Sequence, residues 1–308
     1  MRHVSTSALA GIRAHAPALS LRLVFDVFKL RIGFTIALTA LAGLAITPGP
    51  APGAWQVLAL LLSVTLASAA AGAYNQMIER DLDRVMRRTA HRAFVTGRLQ
   101  ASPAWHAAIL ATGASGIAIA LLALNAMSAA CTLAGALVYG LVYTRWLKRR
   151  TPWNIVIGGL AGSFAVLAGS AVVAPDHWAP VTLCFAWILF LWTPPHFWSL
   201  AIAFQEDYRA AGVPMLPVVV GNARAARAIF AGTLLLVASG VAPAFLGLGM
   251  LYAVTAVAAG IYLVARSLQL LHAPDRRRAM ANFGASLVYL ALLLAAAIAD
   301  SALRASLH

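Results

Sequence analysis

Apolar runs long enough to cross a bilayer leave this chain few folds to choose from. A helix spanning the hydrocarbon core needs about 20 mostly apolar residues. Nine such runs are predicted, at roughly 32–47, 55–77, 105–124, 126–146, 154–174, 179–203, 226–247, 249–271 and 281–303. Only 10% of the residues are charged against 62% hydrophobic, which excludes an ordinary soluble domain of this length. Backbone groups in hydrocarbon must satisfy one another, so the expected fold is an all-α integral membrane protein. The connections are too short to hold a separate soluble domain. The chain therefore divides into an N-terminal arm (1–25), one membrane domain (26–303) and a short tail (304–308).

Charge sets the expected orientation. Alternate connections carry 22 of the 23 Lys and Arg residues, leaving only Arg304 near the far terminus. By the positive-inside rule the basic side is cytoplasmic, with the N terminus inside and the C terminus outside. The net charge of +14 is then accounted for by helix orientation and anionic lipid headgroups rather than by nucleic acid. The basic arm has no long uncharged core followed by small residues, so a cleaved signal is not expected. Cys131 and Cys184 both fall inside predicted spans, where packing is their expected role.

Against this background acid is scarce: nine residues are Asp or Glu, and three of them lie in Asn75-Gln-Met-Ile-Glu-Arg-Asp-Leu-Asp83. A second pair, Glu206-Asp207, follows the sixth run as the first cluster follows the second. Four helices separate the clusters, which suggests an internal four-helix duplication that sets them facing one another across a central cavity. Asn75, Glu79 and Asp83 are spaced i, i+4 and i+8, so one helix face presents all three. Arg80, Arg84 and Arg88 repeat that spacing one residue later, rotated by about 100°. Asp81 is a further candidate ligand, although a continuous helix points it elsewhere. Carboxylate and amide oxygens suit Mg²⁺, which commonly bridges protein carboxylates to substrate phosphates. Guanidinium groups beside them suit phosphate oxygens. The plainer alternative is a solvated helix end with local ion pairs, and recurrence of acid after the sixth run argues against it.

Two more constellations stand out. Lys148-Arg149-Arg150 lies on the same side and could neutralise a departing diphosphate, or simply anchor the topology; Asn154 just beyond could cap the fifth helix. Trp192-Thr-Pro-Pro-His196-Phe-Trp198 is expected to interrupt the sixth helix, because two prolines remove donors and free carbonyls. His196 would then sit among aromatics inside the membrane. It is either a hydrogen-bonded structural residue or an axial ligand to a haem iron, with the rings stacking on the porphyrin.

On these residues the chain resembles the protohaem IX farnesyltransferases (haem O synthases) of the intramembrane UbiA-type prenyltransferase superfamily. The resemblance covers about residues 26–300 and rests on four blocks: Asn75 to Thr89, Tyr143 to Gly159, Trp192 to Trp198, and Asp207-Tyr-Arg-Ala-Ala-Gly-Val-Pro-Met-Leu-Pro217. It implies nine helices around a central cavity, Mg²⁺, farnesyl diphosphate and haem b as substrates, and haem O as product. Haem b is a substrate here, not a cofactor. Asn75, Glu79, Asp83 and Asp207 match the family's acidic sites, with Asp81 beside them as a metal candidate and Lys148 and Arg149 on the leaving group. Arg80, Arg84, Arg88, Tyr143, Asn154, Trp192, His196 and Tyr208 fall in the matching blocks as substrate-binding candidates, and Arg92 follows just after the first block. The sequence departs from the family pattern at Glu79, where Asp is usual, and at Leu30 and Ala93, where proline is common. A bacterial inner-membrane location, and a haem A synthase or terminal-oxidase assembly protein as partner, are likewise implied by the resemblance alone. The competing functions are prenyl transfer to an aromatic quinone precursor, which needs no histidine at 196, and ion-coupled transport, which would place acid at the bilayer midplane rather than at one face.

Overall fold

The computed structural model describes residues 20–306. Most of the predicted arm, including Arg2 and Arg13, and the last two residues of the tail lie outside the described residues. The chain begins with α1 (Leu21–Val27), α2 (Leu30–Ile46), α3 (Ala54–Ile78), α4 (Arg80–Val85) and α5 (Pro103–Ala123). Next come α6 (Ala126–Leu137), continued by a π-helical stretch (Val138–Leu147), then α7 (Asn154–Gly158), α8 (Leu160–Val173) and α9 (Pro180–Ala203). Two short helices, α10 (Gln205–Ala210) and α11 (Leu216–Val220), lead into α12 (Asn222–Val241), α13 (Met250–His272) and α14 (Arg276–Ala305). No strand occurs among the described residues. Among the described residues, eight helices or helix pairs are long and apolar enough to cross a membrane, and α1 with α2, bent by 57°, makes a ninth where the pair is taken as one span. The protein is a multi-pass membrane protein.

The spans pack in chain order. α2, α3, α5, α6, α8, α9, α12, α13 and α14 each contact the next, and α14 closes the ring on α2. Within the ring α2 and α8 cross at backbone distance, because both carry glycine at the crossing. A Cβ at Gly169 would lie 1.8 Å from the Ala40 carbonyl oxygen, and one at Gly43 would lie 2.2 Å from that of Val166. Small residues at helix crossings let dispersion and backbone contacts replace the hydrophobic drive that lipid does not supply.

Three local features differ from the sequence reading. The first predicted run, 32–47, corresponds to α2, and the apolar pattern does not signal the bend before it at Lys29, which sits in the left-handed region between α1 and α2 (φ 49°, ψ 41°). The sixth is not interrupted: α9 runs unbroken through Pro194 and Pro195. A proline inside a helix can be carried when neighbouring helices hold the segment. Here Gly232 of α12 leaves room for the Pro195 ring, and the hydroxyls of Thr193 and Ser199 bond back to Leu189 O and Pro195 O. Asn154 does not cap its helix; it is the first residue of α7, and its Nδ2 donates to Thr151 O.

Gly169→Ala should therefore cost about 3 kcal/mol by forcing α2 and α8 apart. Gly284→Ala, in α14 with open space around the added methyl group, should be neutral or stabilising by up to about 1 kcal/mol. Thermal unfolding of the purified protein in detergent compares the two.

Candidate active site at the basic end

The predicted stripe survives a break in its helix. α3 ends at Ile78 and α4 starts at Arg80, with Glu79 as the joint (φ −90°, ψ 13°). The i to i+4 bonds continue across it, Glu79 N–H donating to Asn75 O (3.0 Å) and Asp83 N–H to Glu79 O (2.8 Å). Asn75, Glu79 and Asp83 are all buried, at 3%, 1% and 2% exposure. Carboxylates this deep are costly unless paired.

Each member of the stripe accepts from a different cation. Lys29 Nζ donates to Asn75 Oδ1 (2.6 Å), Lys148 Nζ to Glu79 Oε2 (2.5 Å), and Arg92 Nη1 to Asp83 Oδ2 (2.6 Å). Asn75 is fixed from its other end, its Nδ2 donating to Thr144 Oγ1 (3.0 Å), which in turn donates to Tyr139 O. Glu79 Oε1 is buried with no partner. Asp207 of the second cluster is also buried, and its Oδ2 accepts from the Arg88 backbone N–H at 3.3 Å. Its neighbour Glu206 is exposed and pairs with Arg209.

The π-helical stretch explains how Lys148 reaches the stripe. On an α-helix, Tyr139 and Lys148 would point roughly 180° apart. The wider i to i+5 winding, closed by Lys148 N–H to Tyr143 O, turns Tyr139, Tyr143 and Lys148 towards one side. The Tyr139 and Tyr143 rings stack at 5.9 Å. Lys29 Nζ lies over the first ring, and Lys148 Nζ over the second. Lys29, Tyr139 and Thr144 are site residues the sequence reading missed. The only sequence signal for Tyr139 was its spacing of four and nine from Tyr143 and Lys148, which makes sense only with π winding.

The remaining candidates divide. Arg149 pairs in bidentate fashion with Asp81 (2.8 Å to each oxygen) on the exposed rim, and its hydrogen bonds hold the Asp81 carboxyl below the usual carboxylate range. Arg80 and Arg84 are exposed; Arg80 Nη1 donates to Met77 O. The Arg88 guanidinium rests over Phe204 at the end of α9, as does that of Arg276. Tyr208 is buried in an apolar cluster with Leu82, Ile155 and Trp198, against which Tyr143 packs. Asn154 is fully buried, with Oδ1 unpartnered.

Seven residues before the end of α9, about 10 Å deeper along the helix, lies His196. Its ring is stacked between Trp192 and Phe283 of α14, both at 4.2 Å between centroids. His196 Nδ1 bonds Ser286 Oγ (2.7 Å), whose own hydrogen goes to Phe283 O. The serine oxygen must then accept, so Nδ1 carries the proton and Nε2 keeps its lone pair. Trp192 Nε1 donates to Ser286 O, locking the same seam.

A buried stripe of oxygen ligands ringed by cations is suited to a polyanion and a divalent ion together. The UbiA prenyltransferase family model matches residues 36–298. The chain belongs to the UbiA prenyltransferase family. Among its relatives are protoheme IX farnesyltransferase 2 of Paramagnetospirillum magneticum, 51% identical over 91% of this chain and 97% of that one, and protoheme IX farnesyltransferase 1 of the same organism, 44% identical over 92% and 99%. The UbiA fold is also that of a UbiA homolog from Archaeoglobus fulgidus bound to DMAPP and Mg²⁺ (TM-score 0.67, 16% identity, 90% and 99% covered). A digeranylgeranylglyceryl phosphate synthase structure aligns with TM-score 0.73 at 16% identity, covering 91% and 98%.

In this UbiA protein the buried and exposed ion pairs should separate by energy. Glu79→Ala strands Lys148 and should destabilise by about 3–5 kcal/mol. Asp81→Asn breaks only the exposed pair and should cost less than about 1 kcal/mol. Denaturant unfolding of both variants measures the difference.

Proposed function

We propose that the protein transfers a farnesyl group from farnesyl diphosphate to a vinyl group of haem b, with addition of water, giving haem O and diphosphate. The acceptor half of this reading is carried by one arrangement: an imidazole clamped between two rings inside the membrane, its Nε2 lone pair unengaged by any described residue. That geometry suits axial ligation of a haem iron, with flat aromatic surfaces beside it for the porphyrin. The names of the relatives point to the same acceptor.

The donor half belongs to the basic end. Its residues fit Mg²⁺: two carboxylates and an amide lie on one stripe, Asp207 is a further buried carboxylate on the segment after α9, and the orphaned Glu79 Oε1 is a buried oxygen in need of a partner. Asn75, Glu79, Asp83 and Asp207 would hold the ion, which supplies charge neutralisation at the departing diphosphate. Asp81 falls outside this set, since Arg149 occupies it on the rim.

The chain's own groups do the rest. Lys148, Arg92 and Lys29 stand against the stripe and stabilise the diphosphate oxygens as the allylic C–O bond breaks and its electron pair leaves with the diphosphate. Arg149 at the rim and the Arg88, Arg84 and Arg80 guanidiniums widen that positive field. The apolar walls, among them Trp198, Tyr208 and Tyr143, exclude water from the farnesyl cation. The vinyl π electrons then form the new C–C bond. Water adds at the resulting porphyrin-conjugated cation and releases a proton. The basic end is cytoplasmic in this reading, with the N terminus inside, the C terminus periplasmic, and the protein in a bacterial inner membrane. Haem O would pass to a haem A synthase or to terminal-oxidase assembly.

Purified protein incubated with haem b, farnesyl diphosphate and Mg²⁺ should yield haem heavier by one farnesyl group plus one water on mass spectrometry. Asp83→Ala should reduce the yield by more than about 100-fold. Unchanged haem, alongside prenylation of an aromatic quinone precursor, would overturn the acceptor assignment.

A further inference from the structure

The cations at the basic end sit on three of the oxygen atoms that a metal ion could use, leaving Glu79 Oε1 open. Lys29, Lys148 and Arg92 each take one acceptor of the stripe, at 2.6, 2.5 and 2.6 Å. Among the described residues no three acidic, cysteine or histidine side chains converge as a ready-made metal cage. A metal ion that ligates Asn75 Oδ1, Glu79 Oε2 or Asp83 Oδ2 competes there with a protein cation for the same oxygen.

Charge decides when that displacement is favourable. Glu79 and Asp83 are paired with Lys148 and Arg92, while Lys29 and the buried Asp207 add one formal charge of each sign at the same end, so the formal charges come to three against three. A divalent cation arriving alone leaves an excess of positive charge in a buried site, with the displaced ammonium and guanidinium groups stranded. A diphosphate arriving alone leaves an excess of negative charge. Arriving together they come close to balance, and the displaced cations find phosphate oxygens as new acceptors.

Lys29 is built to be the first to move. Its acceptor is a neutral amide rather than a carboxylate. Its stem lies along Gly72 of α3, where an added Cβ would meet the Lys29 Cβ and Cδ at 3.3 Å. Its Nζ is already within 3.3 Å of a second acceptor, Tyr139 Oη. Its left-handed backbone is the one positive φ outside glycine among the described residues, a conformation that an L side chain adopts only under constraint. The α1–α2 turn thus carries a conformational cost while directing this side chain inward.

We propose that Lys29, Lys148 and Arg92 are exchangeable cations that couple metal to diphosphate. Each leaves its stripe acceptor for a diphosphate oxygen when a divalent ion takes that acceptor, so neither ligand binds well without the other. This rests on the prenyl-diphosphate reading of the site and adds to it the order and synergy of binding. Lys29 acts here as a positioning residue for Asn75 and a contact for the diphosphate.

The test uses Mn²⁺ as the probe, since carboxylate and carbonyl sites accept it alongside Mg²⁺. Free Mn²⁺ is counted by electron paramagnetic resonance in detergent solutions of the full chain, with and without saturating inorganic pyrophosphate, against protein-free controls containing the same pyrophosphate. Wild-type protein should bind Mn²⁺ weakly alone and about 5–150-fold more tightly with pyrophosphate, the usual span of site coupling. Lys29→Met should tighten Mn²⁺ binding without pyrophosphate by several-fold and shrink the enhancement, whereas Lys29→Arg should keep the wild-type pattern. If Lys29→Met does not fold, Arg92→Gln reports the same exchange at Asp83. Unchanged or weaker Mn²⁺ binding in the folded neutral variants would overturn the exchange while leaving the metal site standing. No Mn²⁺ binding by wild-type protein, even with pyrophosphate, would remove the metal-diphosphate reading and the exchange with it.

Discussion

Three carboxylates buried at one end of a membrane bundle must each find a counter-charge or a strong donor, and the local structure of that end follows from this need. An isolated carboxylate at such depth would take up a proton rather than stay ionised. Glu79 draws Lys148, which reaches it because the helix before it winds as a π-helix. Asp83 draws Arg92, held in a run of turns that Thr89 pins by donating to Asp83 O. Asp207 takes a backbone N–H from the same connection, tying α10 to the loop after α4. Lys29 completes the set through a left-handed turn. Irregular backbone is concentrated where charge must be brought in.

A second seam, deeper in the bundle, has a different character. His196, Trp192, Phe283 and Ser286 form a neutral, fully interlocked contact between α9 and α14. Asn282 and Ser199 extend it one turn towards the basic end. The two seams share α9, the most buried of the straight spans. It carries the imidazole about two turns before the end that leads into Asp207. In the proposed reaction, one helix therefore sets the distance between the site of ionisation and the site of the acceptor. Chemistry that generates a reactive carbocation benefits from a spacing set in this way, since the acceptor must be in place when the cation forms.

The sequence made the spans legible because bilayer crossing depends on length and apolarity, which need no tertiary information. Asn75, Glu79 and Asp83 were legible as a stripe because i, i+4 spacing holds even across the joint at Glu79. Lys29 was not, since it lies 46 residues from Asn75 and turns inward only through its own unusual φ. Tyr139 and Thr144 were hidden by the π winding, which no periodicity of 3.6 reveals. The double proline misled because its effect depends on packing: Gly232 on a neighbouring helix accommodates the ring, and α9 continues. Asp81 looked like part of the acidic site by proximity in sequence, whereas its geometry sends it to the rim with Arg149.

The central claim is a division of labour, with ionisation of the diphosphate at the charged stripe and capture of the cation at the His196 seam. Positional isotope exchange in farnesyl diphosphate labelled with ¹⁸O at the bridging position reads ionisation by itself, through scrambling of the label in recovered substrate. Scrambling should vanish in Asp83→Ala, yet persist in His196→Ala while haem O formation is lost. Scrambling that survives in Asp83→Ala, or disappears in a folded His196→Ala protein, would contradict that division.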